Sequence, residues 1–183
     1  LSGYCFHLGH HRLRRGLLSL GGGALVSAVS QVAGSPIHWG VLTLLGAAAL
    51  LTIPLDPLLR RLPARAGLAG SFCLFFLLRE VNQGYLGFEG AALLTLPADW
   101  YQNSLTALLG FPGPDFFSAD YFSLLPWLFL FWTGYFLYRL RPEGEGRELR
   151  LPLVTTLGRH SLAAYLLHQP LIYGVLWMFD KLF

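Results

Sequence analysis

Tyr121-Phe122-Ser123-Leu124-Leu125-Pro126-Trp127-Leu128-Phe129-Leu130-Phe131-Trp132-Thr133-Gly134-Tyr135-Phe136-Leu137-Tyr138-Arg139-Leu140 is a run of apolar and aromatic residues with one charge, at its far end. A helix needs about 20 mainly apolar residues to cross the hydrocarbon core of a bilayer, and this run has that length. Four further runs flank it. Gly16 to Gly34, Ile37 to Leu55 and Ala66 to about Val81 precede it, and Ser161 to Phe179 follows a polar linker, Arg141 to Arg150. Asp56-Pro57 reads as the end of the second of these, and Arg79-Glu80 as the close of the third, where an interfacial pair is the simplest role.

The composition agrees. Of 183 residues, 54% are hydrophobic and 13% are charged, against roughly 25% charged in soluble domains. That leaves too little polar surface for a monomer in water. The net charge of +3 does not point to nucleic acid, because the arginines sit in short clusters between apolar runs and form no basic stripe. The clusters alternate instead. Arg12, Arg14, Arg15, Arg60, Arg61, Arg65, Arg139, Arg141, Arg147, Arg150 and Arg159 fall on one side of a five-span parse; Arg79 and Lys181 fall on the other, with Glu80, Glu89, Asp99, Asp115 and Asp120. Cytoplasmic loops carry the Lys/Arg excess. The expected fold is therefore all-α: a polytopic transmembrane helix bundle of about five complete spans, basic loops cytoplasmic.

Leu1 to Leu8 is apolar without the organisation of a signal peptide, and reads as the end of a preceding span, making the chain a fragment. Residues 82–120, rich in Gly, Pro and aromatics, read as an extracytoplasmic loop with a short surface helix, Asp99 to Leu109, capped by Asp99. Cys5 and Cys73 have no metal or disulfide spacing and are expected to be free and buried. Gly23 with Ser27, and Ser30 with Gly34, have the spacing that lets helices approach closely in lipid. No internal repeat supports a transporter.

Polar residues in or beside spans are the candidates for chemistry. His160 and His168 lie on one side of the last run, and His168-Gln169-Pro170 offers a polar, locally opened backbone, because proline removes a donor. His168 is either a histidine bonded to a neighbouring helix or an acid–base group; His160, beside Arg159, suits a helix start at the interface. Gly110 to Tyr121 is an acidic aromatic loop, either capping the fourth span through Ser118 or Asp120 or holding a sugar by its face and hydroxyls. His168, Asp120 and His160 are the catalytic candidates, and Phe117, Tyr121, Trp127 and Gln169 the substrate-side ones, Trp127 more simply a packed indole. His7, His10 and His11 have metal-holding helical spacing, but nothing completes the set, and no metal is expected. Arg12, Arg14, Arg15 and Arg159 suit either topology or the phosphates of a nucleotide-like donor.

Leu1-Ser2-Gly3-Tyr4-Cys5, Leu13-Arg14-Arg15-Gly16, Ile37-His38-Trp39-Gly40-Val41-Leu42, Ser118 to Trp127, Leu157 to Leu162 and Tyr165-Leu166-Leu167-His168-Gln169-Pro170 resemble, in order, motifs of the heparan-alpha-glucosaminide N-acetyltransferase catalytic-domain family in its short bacterial form. The resemblance implies one transmembrane acyltransferase-like domain over residues 1–183. It implies transfer of an acetyl (acyl) group from cytoplasmic acetyl-CoA to a sugar amine or hydroxyl at the outer face of a bacterial cytoplasmic membrane. Asp120 and His168 would line the substrate path, with the cytoplasmic arginines near coenzyme A. The lipid bilayer and a glycan or small amine or hydroxyl acceptor are the implied partners, with a homodimer left open. The family's Asp-x-x-Arg-Gly stretch and early histidine have no counterpart here, and Thr43 stands where short bacterial members carry His. The alternative is a non-catalytic membrane protein, a degenerate member or an accessory subunit of envelope-polymer export.

Overall fold

The computed structural model describes residues 1–32, 34–103 and 105–141, with scattered positions between 162 and 179. Two compact units divide the chain, Leu1–Pro142 and Glu143–Phe183. The described positions of the second are helical.

The first unit is mostly helical. A short α1 (Ser2–Cys5) leads through a turn to α2 (Arg12–Val32), α3 (Val41–Arg61), α4 (Ala64–Leu77) and α5 (Leu124–Arg139). Among the described residues one helix, α3, is both long and apolar enough to cross a membrane. At 1.5 Å per residue α4 and α5 are about 21 and 24 Å long, short of a 30 Å hydrocarbon core. The second helix does not stop at Asp56-Pro57 as its sequence suggests. Pro54 and Pro57 lie inside α3, each removing only one backbone bond, to Leu50 and Ile53 respectively, and the helix runs on to Arg61.

Glycine seams hold the helices together. On α2 the buried residues are Gly16, Gly22, Gly23 and Ser30. Gly16, Gly23 and Ser30 are seven apart, not four as the Gly23/Ser27 and Ser30/Gly34 pairs suggest. A Cβ on Gly16 would meet Leu50 at 2.7 Å, one on Gly46 would meet the Leu20 nitrogen at 2.7 Å, and one on Gly23 would overlap Thr43. On the other side Gly67 of α4 lies against the Phe136 ring of α5, and Gly3 of α1 against the Phe131 carbonyl. Close backbone approach of this kind is what drives helix packing where lipid supplies no hydrophobic contrast. The core between them is Phe6, Leu44, Ala48, Leu59, Leu124, Leu128, Phe131, Tyr135 and Phe136. Its polar groups are satisfied: Thr52 Oγ1 donates to the Ala48 carbonyl (2.6 Å) and accepts from Trp132 Nε1 (3.0 Å), and Ser71 Oγ donates to the Gly67 carbonyl (2.6 Å). Cys5 and Cys73 are free, and both are exposed rather than buried.

The segment between α4 and α5 differs from expectation. In place of one surface helix it carries a two-stranded antiparallel hairpin, β1 (Tyr85–Phe88) and β2 (Ala91–Thr95), and 3-10 turns at Val81–Gln83, Ala98–Trp100 and Thr106–Leu108. Glu89 and Gly90 turn the hairpin with φ of 45° and 88°, the pair of positive values that a tight two-residue turn requires. Asp99 accepts from the Gln102 side chain (3.3 Å) and caps no α-helix.

Candidate functional site

The described unit has two polar ends with different chemistry. At the first, the N-terminus of α2 meets the C-termini of α3 and α5. Asp56 on α3 accepts from Arg60 one turn later (2.9 Å), from Arg12 of α2 (3.5 Å) and from the Tyr135 hydroxyl of α5 (2.5 Å). Arg139 of α5 donates to the carbonyls of Leu59 (2.9 Å), Arg60 (3.0 Å) and Leu62 (3.2 Å). It thereby closes the open end of α3, where a cation is favoured by the helix dipole. The arginine clusters that the sequence alternation assigns to one side thus do meet at one end: Arg12 and Arg60 share a carboxylate, and Arg139 caps the helix that carries Arg60 and Arg61.

A cavity of about 400 Å³ opens there, lined by His7, Gly9, His10, Arg12, Leu13 and Ile53. His7 lies in the turn between α1 and α2, stacked on Tyr138 with ring centroids 4.7 Å apart, and its Nε2 is buried with no hydrogen-bond partner among the described residues. Burial pushes its imidazole below the ordinary histidine value, and the Arg12 guanidinium adds to the effect. Because residues 6–11 are turn and loop, His7, His10 and His11 do not share a helix, and the i, i+3, i+4 argument for a metal has no basis. No group of metal-holding side chains occurs among the described residues. Arg15 lies over Gly9, where a Cβ would meet its guanidinium at 2.8 Å, and Arg14 is exposed.

At the opposite end the loop before α5 folds over the start of α3. Ser118 does not cap the fourth span. Its hydroxyl accepts from the His38 N–H (2.9 Å) and donates to the His38 carbonyl (2.9 Å). Asp120 does not cap it either. A Cβ on Gly40 would lie 3.2 Å from its Oδ2, so the carboxylate rests on the bare backbone at the start of α3, where helix ends favour anions. The residue that caps α5 by position is Ser123, whose hydroxyl bonds to Asn82 (3.1 Å) and to the Leu125 carbonyl. Leu125 has extended dihedrals and kinks the chain just before Pro126.

Tyr121 is half-buried, and its hydroxyl donates to the Ala107 carbonyl (2.5 Å). Its one proton is committed to that carbonyl, so toward a ligand the hydroxyl oxygen can only accept. Phe117 is 67% exposed, free to meet a ligand. Trp127 is packed between Phe75 (5.5 Å) and Phe122 (5.2 Å), the packed-indole alternative. His160, Arg159, His168 and Gln169 lie outside the described residues.

The described end therefore joins Asp120 and Tyr121 to His38, which sequence reasoning did not single out, and the basic end joins Arg12 to His7, Asp56 and Tyr135, of which only His7 drew notice. A lone Asp before Pro reads as a helix stop, and its three partners come from three separate stretches of chain. The family described as heparan-alpha-glucosaminide N-acetyltransferase, catalytic, matches residues 1–170. The chain belongs to that family. No curated protein and no solved structure matches it. Membership in a heparan-alpha-glucosaminide N-acetyltransferase family suggests acyltransferase activity and makes acetyl-CoA a plausible donor.

Proposed function

We propose that the chain is the helical bundle of a multi-pass acetyltransferase in a bacterial cytoplasmic membrane, its basic end facing the cytoplasm. Five spans, one of them near the C-terminus, make up the bundle. The observation that carries the proposal is the family match across residues 1–170. The separation of a cationic end from an acidic aromatic end supports it. Acetyl-CoA approaches the cationic end, where Arg14, Arg15 and the Arg12 side of the cavity hold its phosphates. Arginine forks suit such anions, and Arg12 is already half committed to Asp56. A sugar amine or hydroxyl approaches the other end, where Asp120, Tyr121 and exposed Phe117 offer a carboxylate, a hydroxyl oxygen that accepts, and an apolar face. The acceptor attacks the thioester carbonyl, the new N–C or O–C bond forms, and coenzyme A leaves with the sulfur. His168 lines the substrate path and Arg159 lies near coenzyme A, as the resemblance implies, with His160 a further catalytic candidate and Gln169 a substrate contact.

Membranes carrying the full chain, given labelled acetyl-CoA, test the proposal. Acetylated glycan, lipid or amine above background is the expected result, with Arg14→Ala plus Arg15→Ala raising KM for acetyl-CoA about tenfold through lost charge-assisted bonds. No acetylated product would overturn it.

One observation favours a second reading, a non-catalytic membrane protein. Thr43, at the position of the family's histidine, is buried against Gly23 of α2, with no volume left for an imidazole. In that reading Asp120→Ala changes assembly or folding alone, whereas the enzyme loses turnover at normal protein level.

A further inference from the structure

His38 sits three residues before α3 in a turn that is held against its own preference. Trp39 has a φ of 56°, a left-handed conformation that bulky side chains rarely adopt. Four hydrogen bonds impose it. The His38 N–H and carbonyl both bond to Ser118 Oγ (2.9 Å each), the Ala119 N–H donates to the Pro36 carbonyl (3.0 Å), and the Phe122 N–H donates to the Trp39 carbonyl (3.0 Å). Backbone strain persists only where its surroundings over-determine it. Here the clamp consumes the backbone polar groups of His38 and leaves its ring uncommitted: the imidazole is half-buried, 6.4 Å from the Phe116 ring, and makes no hydrogen bond to the described residues. Two residues on, the Asp120 carboxylate lies against Gly40, and it too accepts no hydrogen bond from the described residues. Phe116 continues edge-on to Tyr121 at 5.0 Å, extending an aromatic wall beside the pair. An imidazole and a carboxylate, both without a hydrogen bond among the described residues, thus lie on one clamped loop at this end of the unit.

We propose that His38 is the base that takes the proton of the acceptor amine or hydroxyl as it attacks the acetyl thioester, with the Asp120 carboxylate as an acceptor for the substrate's remaining hydrogen-bond donors. The inference rests on the acetyltransferase reading above. In the step, the acceptor nitrogen or oxygen bonds to the carbonyl carbon and its proton passes to the imidazole. The C–S electron pair leaves with coenzyme A sulfur, and the imidazolium gives its proton to water. No oxidant or metal is needed. Imidazole is the commonest general base in enzymes and typically contributes about 10²–10⁴-fold. It also supplies what Thr43, whose hydroxyl is a poor proton acceptor, does not.

The test uses membranes carrying the full chain, labelled acetyl-CoA, and glucosamine, an alkylamine and a neutral sugar as acceptors. His38→Ala should lower kcat about 100-fold with KM for acetyl-CoA unchanged, and added imidazoles should restore turnover in the order of their basicity. Carbethoxylation located at His38 by mass spectrometry should track the loss of transfer in the wild type, which keeps the test open if His38→Ala fails to accumulate. A wild type that acetylates none of the acceptors overturns both this inference and the acetyltransferase reading. An active wild type whose His38→Ala variant stays within twofold, or is dead and not rescued by any imidazole, overturns this inference alone. Carbethoxylation at His38 without loss of transfer does the same.

Discussion

The two ends of the first unit use their charges in opposite ways. At the basic end the central carboxylate and guanidinium are spent on other parts of the fold: Asp56 binds two arginines and a tyrosine, and Arg139 binds three carbonyls. At the other end the backbone is bonded tightly while the ionisable side chains of His38 and Asp120 are left unbonded among the described residues. Charge density alone does not mark a reactive site. The basic end has more charge and is chiefly a fastening; the other has less and keeps it available.

The largest test of that contrast is a pair of aspartates. Asp56→Ala releases the partly exposed Arg12 and Arg60 and leaves the hydroxyl of buried Tyr135 without its acceptor, a loss of about 1–3 kcal/mol. Thermal unfolding in detergent should show it plainly. Asp120→Asn removes no hydrogen bond among the described residues, so it should move stability by less than about 0.5 kcal/mol while depressing transfer. Equal destabilisation by the two would erase the distinction.

Next in size is a glycine on each side. A Cβ on Gly3 would overlap the Phe131 carbonyl, a backbone atom held inside α5, so Gly3→Ala should cost about 2 kcal/mol by overpacking. On Gly40 it would lie 3.2 Å from Asp120 Oδ2 and 3.1 Å from Ile37. Those are side-chain atoms that can give way, so Gly40→Ala should cost about 1 kcal/mol or less while displacing the carboxylate and lowering turnover. The same unfolding assay, run beside the transfer assay, separates the two effects.

A pH effect is smaller. His7 is held below its ordinary value of 6.5 in the folded chain, so on acidification the unfolded chain takes up the proton first. Its contribution is intact above that value and is lost as pH falls through it. Unfolding temperature should therefore drop between about pH 7.5 and about pH 5, and His7→Phe, which keeps the stack on Tyr138, should flatten that slope. The smallest effect belongs to Gly70, which has open space around its Cβ position. Gly70→Ala should leave stability unchanged or raise it by up to about 1 kcal/mol through helix propensity.

The helical parts were legible in proportion to how local their determinants are. The apolar runs located α2, α4 and α5 to within a few residues, and the arginine alternation foretold which helix ends would meet. Asp56-Pro57 was misleading because a proline inside a helix removes one backbone hydrogen bond, and α3 runs on past it to Arg61. The hairpin escaped notice because Ala91 to Thr95 is exposed along its length and shows no alternation of apolar and polar residues; only Glu89-Gly90 marked the turn. At the candidate site, the aromatic acidic loop was visible in Gly110 to Tyr121. Its target was not, since the bonds from Ser118 to His38 join residues 80 apart.

Arg139 has a mechanical consequence. Its three bonds tie α5 to α3 at the basic end, Trp132 to Thr52 ties them midway, and Phe122 to Trp39 ties them at the opposite end. Sliding one helix past the other by a single turn would break all three fastenings together, so α3 and α5 behave as one strut. A rearrangement that opened first one face of the bundle and then the other would have to leave this strut intact and bend or shift other helices around it.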